Sequence, residues 1–277
     1  MAASSSESKT RVRTGILVAV IICAALMFSH IPAIMTGIVV IMNVLAVYEI
    51  FQAAHMIPER KPFWAAMAGA VIISLLPTEL YEKTLLYVFI GASLVFLRIM
   101  RRCGRCIIDI PVRICGICIL VNLLFKAIPS VRSVNHGFYC LLFAVLSGCV
   151  TDVFAYIFGK KLGRHKLCPV ISPKKTVEGS LGGIAGAVAI LLLVGRILEK
   201  ADILQINYPI LALYAVVSSV IGQFGDLSMS AVKRCLGVKD YGTLFPGHGG
   251  ILDRFDSLLF IAPFTLLFCH YLGTFFI

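Results

Sequence analysis

The feature that most limits how this chain can fold is the recurrence of long apolar runs, at residues 14–30, 33–51, 64–78, 84–100, 106–126, 137–159, 180–197, 207–228 and 257–276. Apolar runs of about 17 to 23 residues cross a bilayer as α-helices, whereas barrel strands would be about ten residues long and alternate apolar with polar. These runs do not alternate. With 59% hydrophobic and only 14% charged residues, the chain has too little polar surface to cover a water-soluble globule. The expected fold class is an all-α polytopic integral membrane protein of about nine transmembrane helices, the third run being the shortest.

Lys and Arg counts in the connecting segments set the expected orientation. With nine spans and a cytoplasmic N-terminus, nineteen basic residues fall on the cytoplasmic side: Lys9, Arg11, Arg13, Arg60, Lys61, Arg98, Arg101, Arg102, Arg105, Lys160, Lys161, Arg164, Lys166, Lys174, Lys175, Lys233, Arg234, Lys239 and Arg254. Five fall opposite, namely Lys83, Lys126, Arg132, Arg196 and Lys200, and Arg113 lies inside a run. Adding or removing one span scatters this asymmetry, so the charges independently favour nine. The net charge of +11 then reflects topology and phosphate handling, and nucleic acid is not an expected partner. The expected location is a bacterial inner membrane or its equivalent, multi-pass, with the active site facing the cytoplasm.

Residues 1–13 are small and polar and are expected to form a disordered cytoplasmic N-terminus; no small-x-small cleavage site closes the first run, which argues against a signal peptide. Cys103 with Cys106 and Cys115 with Cys118 form two C-x-x-C pairs, but a rigid fifth helix would hold them apart, so free thiols are expected instead of a zinc site. Asp109 and Arg113, four apart in that run, are expected to pair. Glu49, near the end of the second run, is expected to be an interfacial carboxylate that reaches water.

The chemistry concentrates in residues 230–256, SAVKRCLGVKDYGTLFPGHGGILDRFD. Lys233, Arg234, Lys239 and Arg254 bring positive charge and Asp240, Asp253 and Asp256 bring carboxylates, a mixture suited to a polyphosphate held with a divalent cation. Asp253 and Asp256 are three apart and share a helical face. The glycines around His248 permit a tight turn whose amides can approach phosphate oxygens. Just upstream, Asp226, Ser230 and Lys233 recur at spacings of four and three, one face of a helix end. Asp152 lies within an apolar run, where a carboxylate is expensive unless it faces the bundle interior or a wet cavity. A second basic stretch carries Ser172, Lys174, Lys175, Thr176 and Glu178, and its lysines can hold phosphate as point charges. Gly179 with Gly183, and Gly182 with Gly186, open the next helix at spacings of four and are expected to allow close helix packing.

The series Ser230, Lys233-Arg234, Lys239-Asp240, His248-Gly249-Gly250, Asp253-Arg254 and Asp256 resembles, without departure, the signature of the phosphatidate cytidylyltransferases, or CDP-diacylglycerol synthases. Asp152 with the A-Y-x-x-G run that follows, and Ser172-Pro173-Lys174-Lys175-Thr176 with Glu178, Gly179 and Gly183, resemble the same family. The resemblance covers 148–256 far better than the first five runs. It implies transfer of CMP from CTP to phosphatidic acid, giving CDP-diacylglycerol and pyrophosphate in a lipid bilayer, by a homodimer. Under it, residues 14–130 form five membrane helices. Residues 131–277 form a catalytic region of four, with loops 160–178 and 229–256 making the active site.

In that reading Lys233, Arg234, Lys239, Asp240, His248 and Arg254 carry catalysis. Asp152, Ser172, Lys174, Lys175, Thr176, Glu178, Ser230, Gly249 and Gly250 bind substrate. Asp226, Asp253 and Asp256 hold Mg²⁺, with a second cation left open. The lipid would enter laterally near the sixth to eighth helices. A phosphate monoester is already an anion near neutral pH, so neither a catalytic triad nor a covalent enzyme intermediate is expected. Two other classes stay open on sequence grounds: a CTP-dependent polyprenol kinase, and a transporter lined by Asp109, Arg113 and Asp152. Against the transporter stand the absence of an evident inverted repeat and the gathering of charge on one side.

Overall fold

The computed structural model describes residues 2–57, 60–102, 111–245, 247 and 249–276. The described chain is a helical bundle: α1 (Ala2–Met27), α2 (Pro32–Ala53), α3 (Arg60–Leu75), α4 (Thr78–Arg102), α5 (Pro111–Phe125), α6 (Ala127–Ser133), α7 (Gly137–Leu162), α8 (Val177–Lys200), α9 (Tyr208–Cys235), α10 (Leu252–Phe255) and α11 (Leu258–Leu272). Among the described residues six helices are long and apolar enough to cross a membrane: Pro32–Ala53, Thr78–Arg101, Ile114–Ser133, Gly137–Leu162, Val177–Lys200 and Tyr208–Cys235. Three shorter apolar helices, Thr14–His30, Lys61–Leu75 and Leu258–Leu272, coincide with the remaining apolar runs. Asp109 lies outside the described residues, as do Cys103 and Cys106.

The helices that carry the site are α7, α8 and α9, with α11 packed against α7 and α9. Glycines set how closely they approach. A Cβ on Gly183 would stand 2.9 Å from the Thr151 carbonyl oxygen, and one on Gly179 would stand 2.7 Å from that of Ala155, so this row of α8 lies against the backbone of α7. The row of Gly182 and Gly186 instead receives the rings of Phe158 and Phe154. Both glycine spacings are therefore packing devices, as the sequence suggests. At this approach short hydroxyl bonds join the helices: Ser147 Oγ and Ser218 Oγ are 2.7 Å apart, and Thr151 Oγ1 donates to Ser219 Oγ at 2.8 Å. Tyr214 and Thr265 pair their hydroxyls at 2.8 Å across α9 and α11. Each is a buried polar group that lipid could not satisfy.

Three details differ from the sequence expectations. Residues 2–13, expected in a disordered N-terminus, are helical and continuous with α1. The basic stretch after α7 is not an irregular loop but contains an antiparallel hairpin, β1 (Lys166–Cys168) and β2 (Ser172–Thr176), paired Lys166 to Thr176 and Cys168 to Ser172. Pro173 has no N–H to give, and the strand is short and at an edge, where proline is tolerated. Lys126, counted above as a basic residue of a loop, is instead buried between α5 and α6, where its ammonium donates to the Ser74 carbonyl at 2.8 Å. Its long stem lets it follow the helix while its head finds a backbone acceptor.

Filling the α7–α8 contact tests this packing. Gly183→Val is expected to lower the unfolding free energy by about 1–3 kcal/mol, the usual range for overpacking. Gly69→Ala, where a Cβ meets nothing within 4 Å, should change it by less than about 1 kcal/mol. Thermal unfolding of the detergent-solubilised protein measures both.

Candidate active site

The polar residues converge at the end of the bundle where α7 and α9 finish and α8 and α11 begin. Helix α9 continues past its apolar part to Cys235, so Asp226, Ser230 and Lys233 are helical and share a face; Ser230 Oγ donates to Asp226 Oδ1 at 3.2 Å. The alternation of strand β2 points neighbouring side chains to opposite faces. Lys175 turns inward and forms an ion pair with Asp226 Oδ2, whereas Lys174 is exposed. Thr176 accepts the Gly179 N–H at 3.1 Å and so caps α8.

Lys233 donates to Asp253 Oδ1 at 2.6 Å in a buried ion pair. The other oxygen, Oδ2, accepts the N–H groups of Tyr241 at 2.8 Å and Gly250 at 2.9 Å. Asp253 thus ties two points of the 236–252 loop to Lys233 of α9. The close approach needs glycine: a Cβ on Gly249, whose φ is +84°, would stand 2.6 Å from Asp253 Oδ2. Tyr241 is buried under this knot, its hydroxyl donating to the Met229 carbonyl at 3.0 Å.

The remaining carboxylates form a separate group. Asp152 from α7, Asp226 from α9 and Asp256 from the turn between α10 and α11 lie close enough to repel one another, with Lys175 and Arg254 acting on Asp152 and Lys233 on Asp256. Loss of hydration, then the charges of Asp226 and Asp152, push the Asp256 carboxyl well above the usual range for an aspartate, against the pull of Lys233. Asp253 and Asp256, expected to aim at one ion from one face, therefore have different surroundings, because α10 is a single turn and Asp256 already belongs to the turn into α11.

Other expected site residues act on the scaffold. Glu178 accepts the N–H groups of Arg164 at 3.0 Å and His165 at 3.2 Å and pairs with the His165 ring at 2.6 Å, holding the hairpin base. Arg234 donates to the backbone carbonyls of Ile171 at 3.2 Å and Val238 at 3.1 Å, joining the two basic loops. Lys239 and Asp240 are exposed beside the site, Ser172 is half-buried on β2, and His248 lies outside the described residues. Glu49 corrects its expectation: it does not reach water but is buried, with both oxygens accepting loop N–H groups, Ile251 at 2.7 Å and Leu252 at 3.0 Å. Only its place in an otherwise uncharged second run could have marked it.

Beside this polar group lies a cavity of about 380 Å³. Its walls are apolar side chains of α1, α2 and α7, including Ile22, Ile38, Leu45 and Leu141, and its polar end is formed by Asp152 and Arg254.

The model of the cytidylyltransferase family matches residues 9–272. The chain belongs to the cytidylyltransferase family. Among its relatives are phosphatidate cytidylyltransferases of Staphylococcus epidermidis, 48% identical over 129 residues, which are 47% of this chain and 48% of the relative. Those of Staphylococcus haemolyticus and Staphylococcus aureus are 45% and 46% identical over the same share of each chain. The chain spans about half the length of the curated relatives it matches. The polar group described above brings together Lys175, Lys233 and Arg254 with Asp152, Asp226, Asp253 and Asp256.

The buried Lys233–Asp253 pair gives a test of the loop anchorage. Lys233→Met leaves a carboxylate without its cation and is expected to cost about 3–5 kcal/mol of stability, the usual result of removing one partner of a buried pair. Adding Asp253→Asn should restore part of it. Chemical unfolding of both variants in detergent checks the pattern.

Proposed function

We propose that this cytidylyltransferase transfers CMP from CTP to phosphatidic acid, releasing pyrophosphate and forming CDP-diacylglycerol. The observation that carries the reading is the junction of two environments: a cluster of Lys175, Lys233, Arg254 and three carboxylates, opening beside an apolar cavity that ends at Asp152 and Arg254. One substrate is a polyanion and the other joins a phosphate to acyl chains. An amphiphile would place its chains among α1, α2 and α7 and its headgroup at Arg254. In this reading the lipid entrance involves the first two apolar helices together with the sixth, α7.

The reaction joins a lipid phosphate oxygen to the α-phosphorus of CTP and breaks the bond from that phosphorus to the oxygen bridging to the β-phosphate. Pyrophosphate leaves with the bonding pair. Because the nucleophile is already an anion, the chain's contribution is positioning and neutralisation of the approaching charges. Lys175, on the hairpin, and Lys233 and Arg254, on the α9–α11 side, flank the space between the basic loops. Lys239, exposed at its rim, would meet the leaving pyrophosphate. Lys174, Ser172, Ser230 and Thr176 would complete the phosphate contacts, and His248 would serve as donor or turn former.

Mg²⁺ belongs to the same proposal. Among the described residues no three His, Cys, Asp or Glu side chains converge to cage an ion by themselves. The donor set nevertheless fits Mg²⁺, which commonly takes one or two carboxylates and completes its shell with substrate phosphates and water. Asp226 and Asp256, with their mutual repulsion, would hold it, and Asp253 would join by exchanging the Lys233 ammonium for the ion. The bound cation would neutralise phosphate charge and polarise the α-phosphorus.

The topology proposed with this function is nine spans, the three shorter apolar helices included, with the N-terminus and the active site on the cytoplasmic side. The charge asymmetry of the loops supports it. A homodimer in a bacterial inner membrane or its equivalent completes the reading.

Conversion by the purified protein, with phosphatidic acid and CTP labelled at either the α- or the γ-phosphate, tests the reaction. Expected are α-label in the lipid product and γ-label in pyrophosphate, both dependent on Mg²⁺. The γ-label in lipid with release of CDP would make it a kinase instead. Lys239→Ala should lower kcat by about a hundredfold if it meets the transition state, and a loss below about threefold would leave it only a topology signal.

A further inference from the structure

Glu49 is set apart from the other charged groups around the site. It stands in α2, 202 residues before its partner Ile251, and is 3% exposed. Its two oxygens divide two consecutive amides between them, Ile251 N–H to Oε1 at 2.7 Å and Leu252 N–H to Oε2 at 3.0 Å. The preceding amide, Gly250 N–H, goes to Asp253. Three successive N–H groups are thus held by two carboxylates from opposite ends of the chain. Gly242 and Gly250 close over the Glu49 carboxylate: a Cβ on Gly242 would stand 3.1 Å from Oε1, and one on Gly250 would overlap Oε1 and Cδ.

Burying a carboxylate costs several kcal/mol unless its oxygens are satisfied, and charge-assisted bonds to backbone amides are among the stronger ways to do so. An amide side chain cannot replace it fully, since its nitrogen would turn a donor toward a backbone donor. The segment Glu49 grips leads directly into Asp253 and Arg254, the first tied to Lys233 and the second forming the polar end of the cavity.

We propose that Glu49 is a positioning residue for the transfer reaction: by clamping the Ile251 and Leu252 amides it fixes the turn that aims Asp253 and Arg254, so α2 belongs to the catalytic unit. This rests on the reading of the site as the phosphatidate-transferring centre. It also extends the functional part of the chain beyond residues 131–277 into its first half.

The test uses the full chain in lipid nanodiscs, as wild type, Glu49→Gln, Arg254→Lys and the double variant. Glu49→Gln is expected to lower kcat by about tenfold or more, with the KM for CTP changed by less than about threefold. In the Arg254→Lys background the same change should add much less, because the two act through one turn. Normal kcat in Glu49→Gln, or a loss that multiplies fully with that of Arg254→Lys, would overturn the proposal. Amide hydrogen exchange separates the clamp from the reaction: protection of residues 250–254 should fall by about tenfold or more in Glu49→Gln while α7–α9 keep theirs. Unchanged protection would overturn the clamp whatever the reaction. A wild type that turns over neither substrate, with the exchange difference present, would instead remove the transfer reading and leave the clamp standing.

Discussion

The arrangement of the site depends on one carboxylate, that of Asp253. Among the described residues of 236–251, between α9 and α10, there is no long regular element, and a segment of that kind has few backbone partners of its own. Asp253 supplies them. One oxygen holds Lys233 on α9, and the other holds the amides of Tyr241 and Gly250, so a single side chain fixes both ends of the loop against a helix that crosses the bundle. Glu49 then fixes the next two amides from α2. Basic side chains are thereby aimed without a rigid sheet or an extra domain beneath them.

The same arrangement explains how a strongly basic surface coexists with buried acids. Lys175 with Asp226, Lys233 with Asp253 and Arg254 near Asp152 keep the charges of the protein balanced before any substrate arrives. A triphosphate entering between the two loops would compete for the lysines, and a divalent cation would take up the carboxylates they release. Such exchange keeps the charges close to neutral at every stage, which matters most where lipid lowers the local dielectric. The glycine rows of α8 serve this end as well, since they let α7, which carries Asp152, pack closely against α8.

The all-α membrane character was legible because lipid imposes a length on apolar runs, and among the described residues six helices have that length. The shared face of Asp226, Ser230 and Lys233 was equally legible, from helical spacing alone. Roles within the cluster were not. Glu178 and Arg234 have the charge expected of phosphate ligands or their partners, yet they bond backbone groups of the hairpin and loop, and spacing carries no information about that. Glu49 was hidden for a different reason: an acid near the end of an apolar run is usually free to reach water, and only the return of the 250–252 segment over α2 makes it a buried partner. Lys174 and Lys175 look alike in sequence and differ only because a strand turns alternate residues outward.

The central claim is that the hairpin, the end of α9 and the loop held by Asp253 together form one polyphosphate site beside an apolar chamber. A structure of the protein in nanodiscs with CTP, Mg²⁺ and a non-reactive phosphonate analogue of phosphatidic acid tests it most directly. The account requires the triphosphate between Lys175 and the 233–239 segment, the cation at Asp226 and Asp256, and the acyl chains among α1, α2 and α7. A triphosphate bound away from these lysines, or acyl chains on another face of the bundle, would contradict it.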